Sequence, residues 1–135
     1  MKTGFTLHEL IIVMVIAGIL VAIGVPSYIG MQEDSHNREA ISNLRRLQEA
    51  EKFYHVETTN SYYSSSNINN INTNLTVSLP YDPDPDYVPK WGYTVYSTGC
   101  VQATRNGNDG RNWYLPILGE EPIKVPPNGV PAGCS

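Results

Sequence analysis

The feature that most constrains this chain is an apolar run near its N-terminus, from Phe5 to Val25. Glu9 is the only residue of these 21 that is charged at pH 7. At a rise of about 1.5 Å per residue, a helix of this length extends for about 31 Å. The hydrocarbon core of a bilayer is about 30 Å thick. The run therefore predicts a helix that can span a membrane.

Glu9 is unusual because a carboxylate inside an apolar membrane segment is costly and is normally paired. One interpretation places it at the lipid–water interface with its charge turned toward water. The other gives it a functional partner, as an ionisable residue in such a segment usually has. Lys2 precedes the run, so the positive-inside tendency places this end in the cytoplasm and the rest of the chain outside it. Four residues before Phe5 are too few for the charged region of an ordinary secretory signal.

At these residues the chain resembles the type IV pilin family, which includes pilus subunits and the pseudopilins of type II secretion. The matching motif is a short basic leader that ends in Gly4, then Phe5-Thr6-Leu7, Glu9 as the fifth residue after the glycine, and Pro26. It covers about a fifth of the chain. His8 departs from the pattern, since family members commonly have an apolar residue there.

The resemblance implies processing by a prepilin peptidase, which would cleave between Gly4 and Phe5 on the cytoplasmic side and methylate the new amine of Phe5. It also implies three parts of the chain. Residues 1–4 are a leader peptide, residues 5–26 a transmembrane and assembly helix, and residues 27–135 a periplasmic or extracellular globular pilin domain.

Cleavage would place a positive amine at Phe5, close in membrane depth to the negative Glu9. When helices of two copies stack with an axial offset, the carboxylate of one can meet the amine of the next, so that both charges leave lipid as a pair. We therefore expect Phe5 and Glu9 to be assembly residues. Pro26 is the third, because a proline removes a helical hydrogen bond and is expected to kink or break the helix. Gly18 and Gly24 either permit close helix packing or allow the helix to melt locally in a filament.

From Ser27 to His55 the chain becomes polar, yet apolar residues recur at spacings of three and four, as in an amphipathic helix. The apolar stripe consists of Ala40, Ile41, Leu44, Leu47, Ala50 and Tyr54. Most charged residues, Glu51 among them, are assigned to a solvated face. His36 and His55 have no partners at metal-ligand spacing and are assigned to the surface. We expect one long helix whose stripe packs on a sheet.

Residues 57–78 are rich in Ser, Thr and Asn, which predicts a polar surface loop. Asn74-Leu75-Thr76 matches the N-glycosylation triplet, and Ser64, Ser65 and Ser66 are candidates for O-linked sugar. An unmodified loop is the simpler interpretation. Asp82, Asp84 and Asp86 alternate like the start of a calcium loop, but the glycine and late glutamate of such a loop are missing. No metal site or cofactor is expected.

Three segments read as strands, 91–97, 99–105 and 111–118, and Leu75 to Leu79 is a candidate edge strand. Asn106 to Gly110 predicts a hairpin turn. The fold class is therefore α+β. A long N-terminal helix, half membrane-spanning and half amphipathic, packs on an antiparallel sheet of three or four strands.

Cys100 and Cys134 are the only two cysteines, and an even number in an exported domain predicts a disulfide. The bond would tie down the last 13 residues, which show no helix or strand pattern. In the family that the chain resembles, a disulfide-bounded C-terminal region is common in pilus subunits, whereas major pseudopilins usually lack it and often rely on calcium. The pair therefore favours a pilin over a pseudopilin.

No catalytic constellation is present in the sequence, so no enzymatic activity is expected. A net charge of −4 disfavours non-specific nucleic-acid binding. The first hypothesis is a subunit that forms a homopolymeric type IV pilus for adhesion, twitching motility or DNA uptake. It implies three partners: other pilin copies, the prepilin peptidase and the assembly machinery of the inner membrane. The protein would reside in the inner membrane and then in a surface filament. The alternatives are a pseudopilin of type II secretion and a low-abundance minor pilin with a binding role.

Overall fold

A computed structural model describes residues 4–80, 88–107, 110–125 and 129–134. Its elements in chain order are α1 (Leu7–Glu57), α2 (Ile68–Asn74), β1 (Trp91–Val95), β2 (Val101–Arg105), β3 (Asn112–Leu115) and β4 (Ile123–Val125). This α+β layout confirms the predicted fold class. Internal contacts divide the chain into two units, residues 1–36 and 37–135, and each is described by itself.

The long helix α1 is continuous from Leu7 to Glu57 and passes through Pro26. Of the kink or break expected at Pro26, the break is therefore absent from the single chain. A proline removes only one backbone hydrogen bond, and the turns on either side keep their own. Extending an existing helix is also far easier than starting a new one, so one missing bond does not end it.

In the second unit, the predicted apolar stripe of α1 faces the core. Ala40, Leu44 and Leu47 are completely buried. They share one cluster with residues of the sheet and of the segment around α2, namely Ile71, Leu75, Leu79, Trp91, Tyr93, Val95, Val101, Ala103 and Leu115. The prediction that the stripe packs on a sheet is confirmed.

Glu51 corrects one prediction, because it is completely buried rather than on a solvated face. It follows Leu47 by four residues and Leu44 by seven, so helical periodicity places it on the buried stripe. Its Oε2 accepts a hydrogen bond of 3.1 Å from the backbone N–H of Tyr63. The residue type suggested solvent, whereas its position in the helix determined its burial.

The Asn-rich segment predicted as a loop contains the short helix α2. Asn67 caps it, because its side chain accepts a hydrogen bond from the backbone N–H of Asn70 at 3.2 Å. Asparagine is a good N-cap for the same reason that it favours turns: its short side chain bonds nearby backbone groups. Ile71 is completely buried and anchors the helix to the core.

The candidate edge strand from Leu75 to Leu79 is wrong. Thr76 has a positive φ of 52°, which an extended strand does not allow. The side chain of Asn72 instead occupies both backbone groups of Leu79, since its Oδ1 accepts from the N–H at 2.9 Å and its Nδ2 donates to the C=O at 3.2 Å. Leu75 and Leu79 are buried from a looped backbone.

The sheet has four strands in the order β1-β2-β3-β4, and every neighbouring pair is antiparallel. Ala103 in β2 pairs with Tyr93 on one side and with Trp113 on the other. The three predicted strands are confirmed with shorter bounds. The fourth, β4, lies in the C-terminal segment where no strand was expected. Two backbone hydrogen bonds of 2.8 and 3.0 Å also join Ser65 to Val95, on the outer edge of β1.

The predicted hairpin joins β2 to β3. Gly107 and Gly110 both have positive φ, of 136° and 54°, a conformation that glycine adopts without steric cost. Asn108 and Asp109 lie outside the described residues.

The predicted disulfide between Cys100 and Cys134 is present, with 5.1 Å between the two Cα atoms. Both cysteines are buried beside Tyr114, and Tyr96 and Val125 pack against them. The bond attaches the C-terminal segment to the start of β2.

Candidate assembly site at the start of the long helix

The peptide bond between Gly4 and Phe5 lies before the start of α1, in chain without secondary structure. Phe5 is 88% exposed, and a Cβ built on Gly4 would meet no atom within 4 Å. Exposed terminal chain is the usual substrate of a peptidase. The geometry at this bond is therefore compatible with the predicted cleavage.

Thr6 and Glu9 form a capping box at the start of α1. The backbone N–H and the hydroxyl of Thr6 both donate to Oε2 of Glu9 at 2.8 Å, and the backbone N–H of Glu9 donates to Oγ1 of Thr6 at 3.3 Å. The first turn of a helix has unsatisfied N–H groups, and this reciprocal arrangement satisfies two of them. The pattern Thr-x-x-Glu before an apolar run is present in the sequence and could have predicted this capping box.

The capping box uses only one oxygen of the Glu9 carboxylate. Its Oε1 forms no hydrogen bond within the described part of the chain, and the residue is exposed. The N–H that Thr6 contributes belongs to the bond between Phe5 and Thr6, so cleavage after Gly4 would leave the box intact. The arrangement thus holds a carboxylate in place while one oxygen stays open to a second molecule.

The apolar half of α1 has exposed side chains on every face. The large ones are between 49% and 67% exposed, namely Leu10, Ile11, Ile12, Val13, Met14, Val15, Ile16, Ile19, Leu20, Val21, Ile23 and Val25. The most apolar 18-residue stretch of this helix is entirely unburied. The helix is long and apolar enough to cross a bilayer. So large an unburied apolar surface requires lipid or other protein around it.

The candidate glycosylation residues lie near one another in sequence but in different surroundings. Asn74 is exposed, yet its Nδ2 donates to Oη of Tyr63 at 3.0 Å and to the C=O of Asn70 at 2.8 Å. Ser64 and Ser66 are exposed, whereas Ser65 is half-buried in its bridge to Val95. Glycosylation at these residues stays a prediction.

No group of three metal-ligating side chains occurs in the residues that the structure describes. Asp82, Asp84 and Asp86 lie outside them. The two histidines assigned to the surface are only half exposed. The ring of His55 stacks on Tyr62 with 4.1 Å between centroids, so this histidine is part of the packing.

In the second unit, the buried Gln48 joins α1 to the segment after β3, a contact that was not predicted from the sequence. Gln48 donates from Nε2 to the C=O groups of Pro116 and Gly119, both at 2.7 Å. The hydrophobic pattern gave no signal for this contact, because a glutamine beside the apolar stripe does not reveal its partner.

Comparison with known proteins gives relatives of two kinds. The chain is 32% identical over 92 residues to the type II secretion system core protein G of Vibrio cholerae, a match that covers 68% of the chain and 60% of the relative. It is 48% identical over 54 residues to the type IV major pilin protein PilA of Myxococcus xanthus, covering 40% of the chain and 24% of the relative. The core protein G of Escherichia coli is 34% identical over 66 residues, 49% of the chain and 44% of the relative. The chain thus spans about three fifths or less of the curated relatives that it matches. No family model matches it, and no solved structure matches it either.

Proposed function

Because the chain belongs to the type IV pilin-like family, we propose that it is a membrane-anchored subunit that polymerises through its N-terminal helix. In this proposal a prepilin peptidase removes residues 1–4 and methylates the amine of Phe5. Residues 5–26 then hold the protein in the inner membrane and later form the filament core, while residues 27–135 are exported. The protein has a structural role rather than an enzymatic one.

The proposal rests on two features at the start of α1. The apolar helix is exposed, and the Glu9 carboxylate uses only one of its two oxygens in hydrogen bonds. Oε1 of Glu9 is open, and cleavage would create an amine one turn earlier. In lipid, a lone carboxylate and a lone amine are each unfavourable, whereas an ion pair between two copies removes both unpaired charges. The apolar side chains around α1 would be covered in the same step, first by lipid and then by other copies.

Within this family, we propose a type IV pilus subunit with a surface filament as its destination. The support is the disulfide between Cys100 and Cys134, which closes a C-terminal region of the kind common in pilus subunits. Adhesion, twitching motility and DNA uptake are the functions such a filament would serve. Other copies of the chain and the assembly machinery of the inner membrane are its partners.

A second candidate, a pseudopilin of a type II secretion system, is favoured by a different observation. Several relatives carry the name of the core protein of such systems, and three of them match over 68% of the chain. A pseudopilin would polymerise by the same helix contacts, so the site does not separate the two candidates.

Mass spectrometry of sheared cell-surface filaments tests the proposal. We expect this chain as an abundant component that begins at N-methyl-Phe5 and has both cysteines oxidised. A pseudopilin would be missing from the sheared fraction, and deletion of its gene would instead abolish secretion of exoproteins. A protein that keeps residues 1–4 in the cell envelope and never self-associates would overturn both candidates.

A further inference from the structure

Residues 116–121, which follow β3 and are called the acidic turn below, present an exposed leucine. The backbone N–H of Gly119 donates to the C=O of Pro116 at 2.8 Å, which closes a four-residue turn. Leu118 is the third residue of this turn and is 91% exposed. Covering such a side chain with a second molecule removes apolar surface from water and is favourable.

Two side chains of α1 hold the acidic turn in place. Nε2 of the buried Gln48 donates to the C=O groups of Pro116 and Gly119, both at 2.7 Å. Nη2 of Arg45 donates to both carboxylate oxygens of Glu121, at 3.1 and 3.0 Å. The turn is therefore ordered before any partner binds, and such preorganisation lowers the cost of association.

The acidic turn also carries a carboxylate that has no partner. Glu120 is exposed and forms neither an ion pair nor a hydrogen bond with the residues that the structure describes. It lies two residues after Leu118 in the chain. The turn thus presents an apolar side chain and a free negative charge within three residues.

A groove along α1 has the complementary chemistry. This arginine groove is open, has a volume of about 410 Å³ and is lined by Arg38, Ile41, Ser42, Arg45, Arg46 and Glu49. Arg45 is already paired with Glu121, whereas Arg38 and Arg46 have no such partner in the described ranges of the chain. Two free arginines against one glutamate leave the groove positive. Ile41 and the aliphatic stems of the arginines add apolar surface to it.

Glu120 is the acid best placed to fill the arginine groove. The other described acids of residues 37–135 are paired, buried or part of α1 itself, namely Glu39, Glu49, Glu51, Glu57 and Glu121. Among the acids that the structure describes in this unit, Glu120 is thus the free one that projects from a turn and not from the helix that forms the groove.

The acidic turn does not fill the groove of its own copy. Neither Leu118 nor Glu120 lines that groove, and a leucine that is 91% exposed is not packed on its own copy. A second copy is the occupant that brings the same turn to it. The turn and the groove are different patches of one copy, and a contact between different patches joins copies head to tail into a ring or a filament.

We propose that the acidic turn of one copy enters the arginine groove of another, so that Glu120 pairs with the free arginines and Leu118 packs on Ile41. The inference deepens the proposed function and rests on it, since it assumes that copies of the chain polymerise. One turn buries less than the roughly 800 Å² per partner of a stable interface. The contact therefore adds to those made by the N-terminal helix and does not replace them.

Charge reversal in two separate copies tests the contact. One variant carries Glu120→Arg, and the other carries Arg38→Glu together with Arg46→Glu. We expect each variant alone to lower the yield of sheared filaments at least fivefold at an unchanged membrane level, because like charges then meet at every contact. Co-expression should restore the yield to within twofold of the unaltered protein. In alternating copies, the reversed turn meets the reversed groove and the native turn meets the native groove.

The outcomes separate this inference from the proposed function. Failure of the mixture to assemble would overturn the inference, and so would normal filaments from Glu120→Arg alone. Normal filaments from Glu120→Arg with a loss in the groove variant would assign the groove to a different acidic ligand. If the unaltered protein forms no filaments, the proposed function fails, and the inference fails with it.

Matched controls exclude a general sensitivity of the surface. Glu57→Arg reverses another exposed acid that has no partner among the described residues, and Val88→Ser removes another apolar side chain, which is 71% exposed. Both should assemble within twofold of the unaltered protein, whereas Leu118→Ser should lower the yield at least threefold. Equal losses in the control and test variants would contradict the inference.

Cross-linking gives a readout that does not depend on reversed charges. Leu118→Cys and Ser42→Cys are made in separate copies and assembled together, and a short bis-maleimide is added. The native cysteines are bonded to each other, so the introduced thiols are the ones that react. A dimer band from the mixture supports the contact, and its absence from assembled mixed filaments refutes it.

Discussion

Nδ2 of Asn43 in α1 donates a hydrogen bond of 2.8 Å to the phenolic Oη of Tyr93 in β1. Both side chains are buried, with exposures of 5% and 2%. Burial raises the pKa of Tyr93 to about 12, and the hydrogen bond from Asn43 partly opposes this. The contact fixes one position of the long helix over one strand, so it sets how the helix and the sheet fit together.

Tyr93→Phe should therefore destabilise the protein by about 1–3 kcal/mol, because it leaves the buried amide of Asn43 without its partner. Urea unfolding of the full chain in detergent, followed by the fluorescence of Trp91 and Trp113, measures the effect. The double variant Asn43→Leu with Tyr93→Phe should recover part of the loss, since neither buried polar group remains. A double variant less stable than Tyr93→Phe alone would contradict this explanation.

Glu51 should make stability depend on pH. Burial raises its pKa from about 4.5 to about 7, and the hydrogen bond from Tyr63 only partly offsets this. The folded protein then binds more protons than the unfolded chain between these two values, so stability falls as the pH rises from about 4.5 to about 7. The loss is at most about 3 kcal/mol. Urea unfolding at pH 5 and pH 8 measures it.

Glu51→Gln is the matched variant, since it has nearly the same shape and cannot ionise. It should remove most of the difference between pH 5 and pH 8 and raise stability at pH 8. An unchanged pH difference in this variant would assign the effect to other groups.

Loss of the disulfide should cost about 3–4 kcal/mol by the chain-entropy model for the 34-residue separation of Cys100 and Cys134. The double variant with serine at both positions should unfold at lower urea concentration than the oxidised protein. Reduction of the unaltered protein should lower the midpoint by a similar amount, which separates the effect of the bond from that of the substitutions. Equal midpoints with and without reductant would show that the bond contributes nothing.

Glu9 has two separable roles, in the capping box and in the proposed ion pair. Glutamine can replace glutamate in a capping box but carries no charge. We therefore expect Glu9→Gln to keep the helix start and yet lower filament yield at least tenfold, and we expect the same loss of yield from Glu9→Ala. Thr6→Val, which removes the hydroxyl and keeps the carboxylate, should assemble far better than either.

Immunoblots of the sheared and cell-bound fractions give the ratio of filament yield to membrane level for each variant. This ratio decides between the two roles. Normal assembly of Glu9→Gln with failure of Glu9→Ala would leave only the capping role.

The parts of the fold that follow a regular period could be predicted from the sequence. The stripe through Leu44 and Leu47 and the alternation of Trp91, Tyr93 and Val95 each give a strong local signal. The Asn-rich helix α2 could not be predicted, because its stability comes from the burial of Ile71 and from a cap, not from helix propensity. Strand β4 was also missed, since it has only three residues and depends on pairing with β3.

At the candidate assembly site, the residue types could be predicted from the sequence, whereas the hydrogen bonds between them could not. The chemistry of Glu9 could be inferred because a lone acid in an apolar run is conspicuous. The hydrogen bonds from Thr6 to one oxygen of the Glu9 carboxylate could not be predicted, because they depend on where the helix begins. Glu51 was misassigned because a charged residue was expected in water, although its spacing from Leu47 placed it inside.

The bridge between Ser65 and Val95 has a consequence for the proposed assembly, in which copies would be crowded in the membrane before they polymerise. It occupies both backbone groups of Val95 on the outer side of β1, so an incoming strand finds only a short free stretch there. At the opposite end, β4 is three residues long and carries Lys124. Short or charged strands at a sheet border discourage sheet-to-sheet aggregation. In the proposed assembly, these features would disfavour pairing between the sheets of crowded copies and leave the helices as the route of growth.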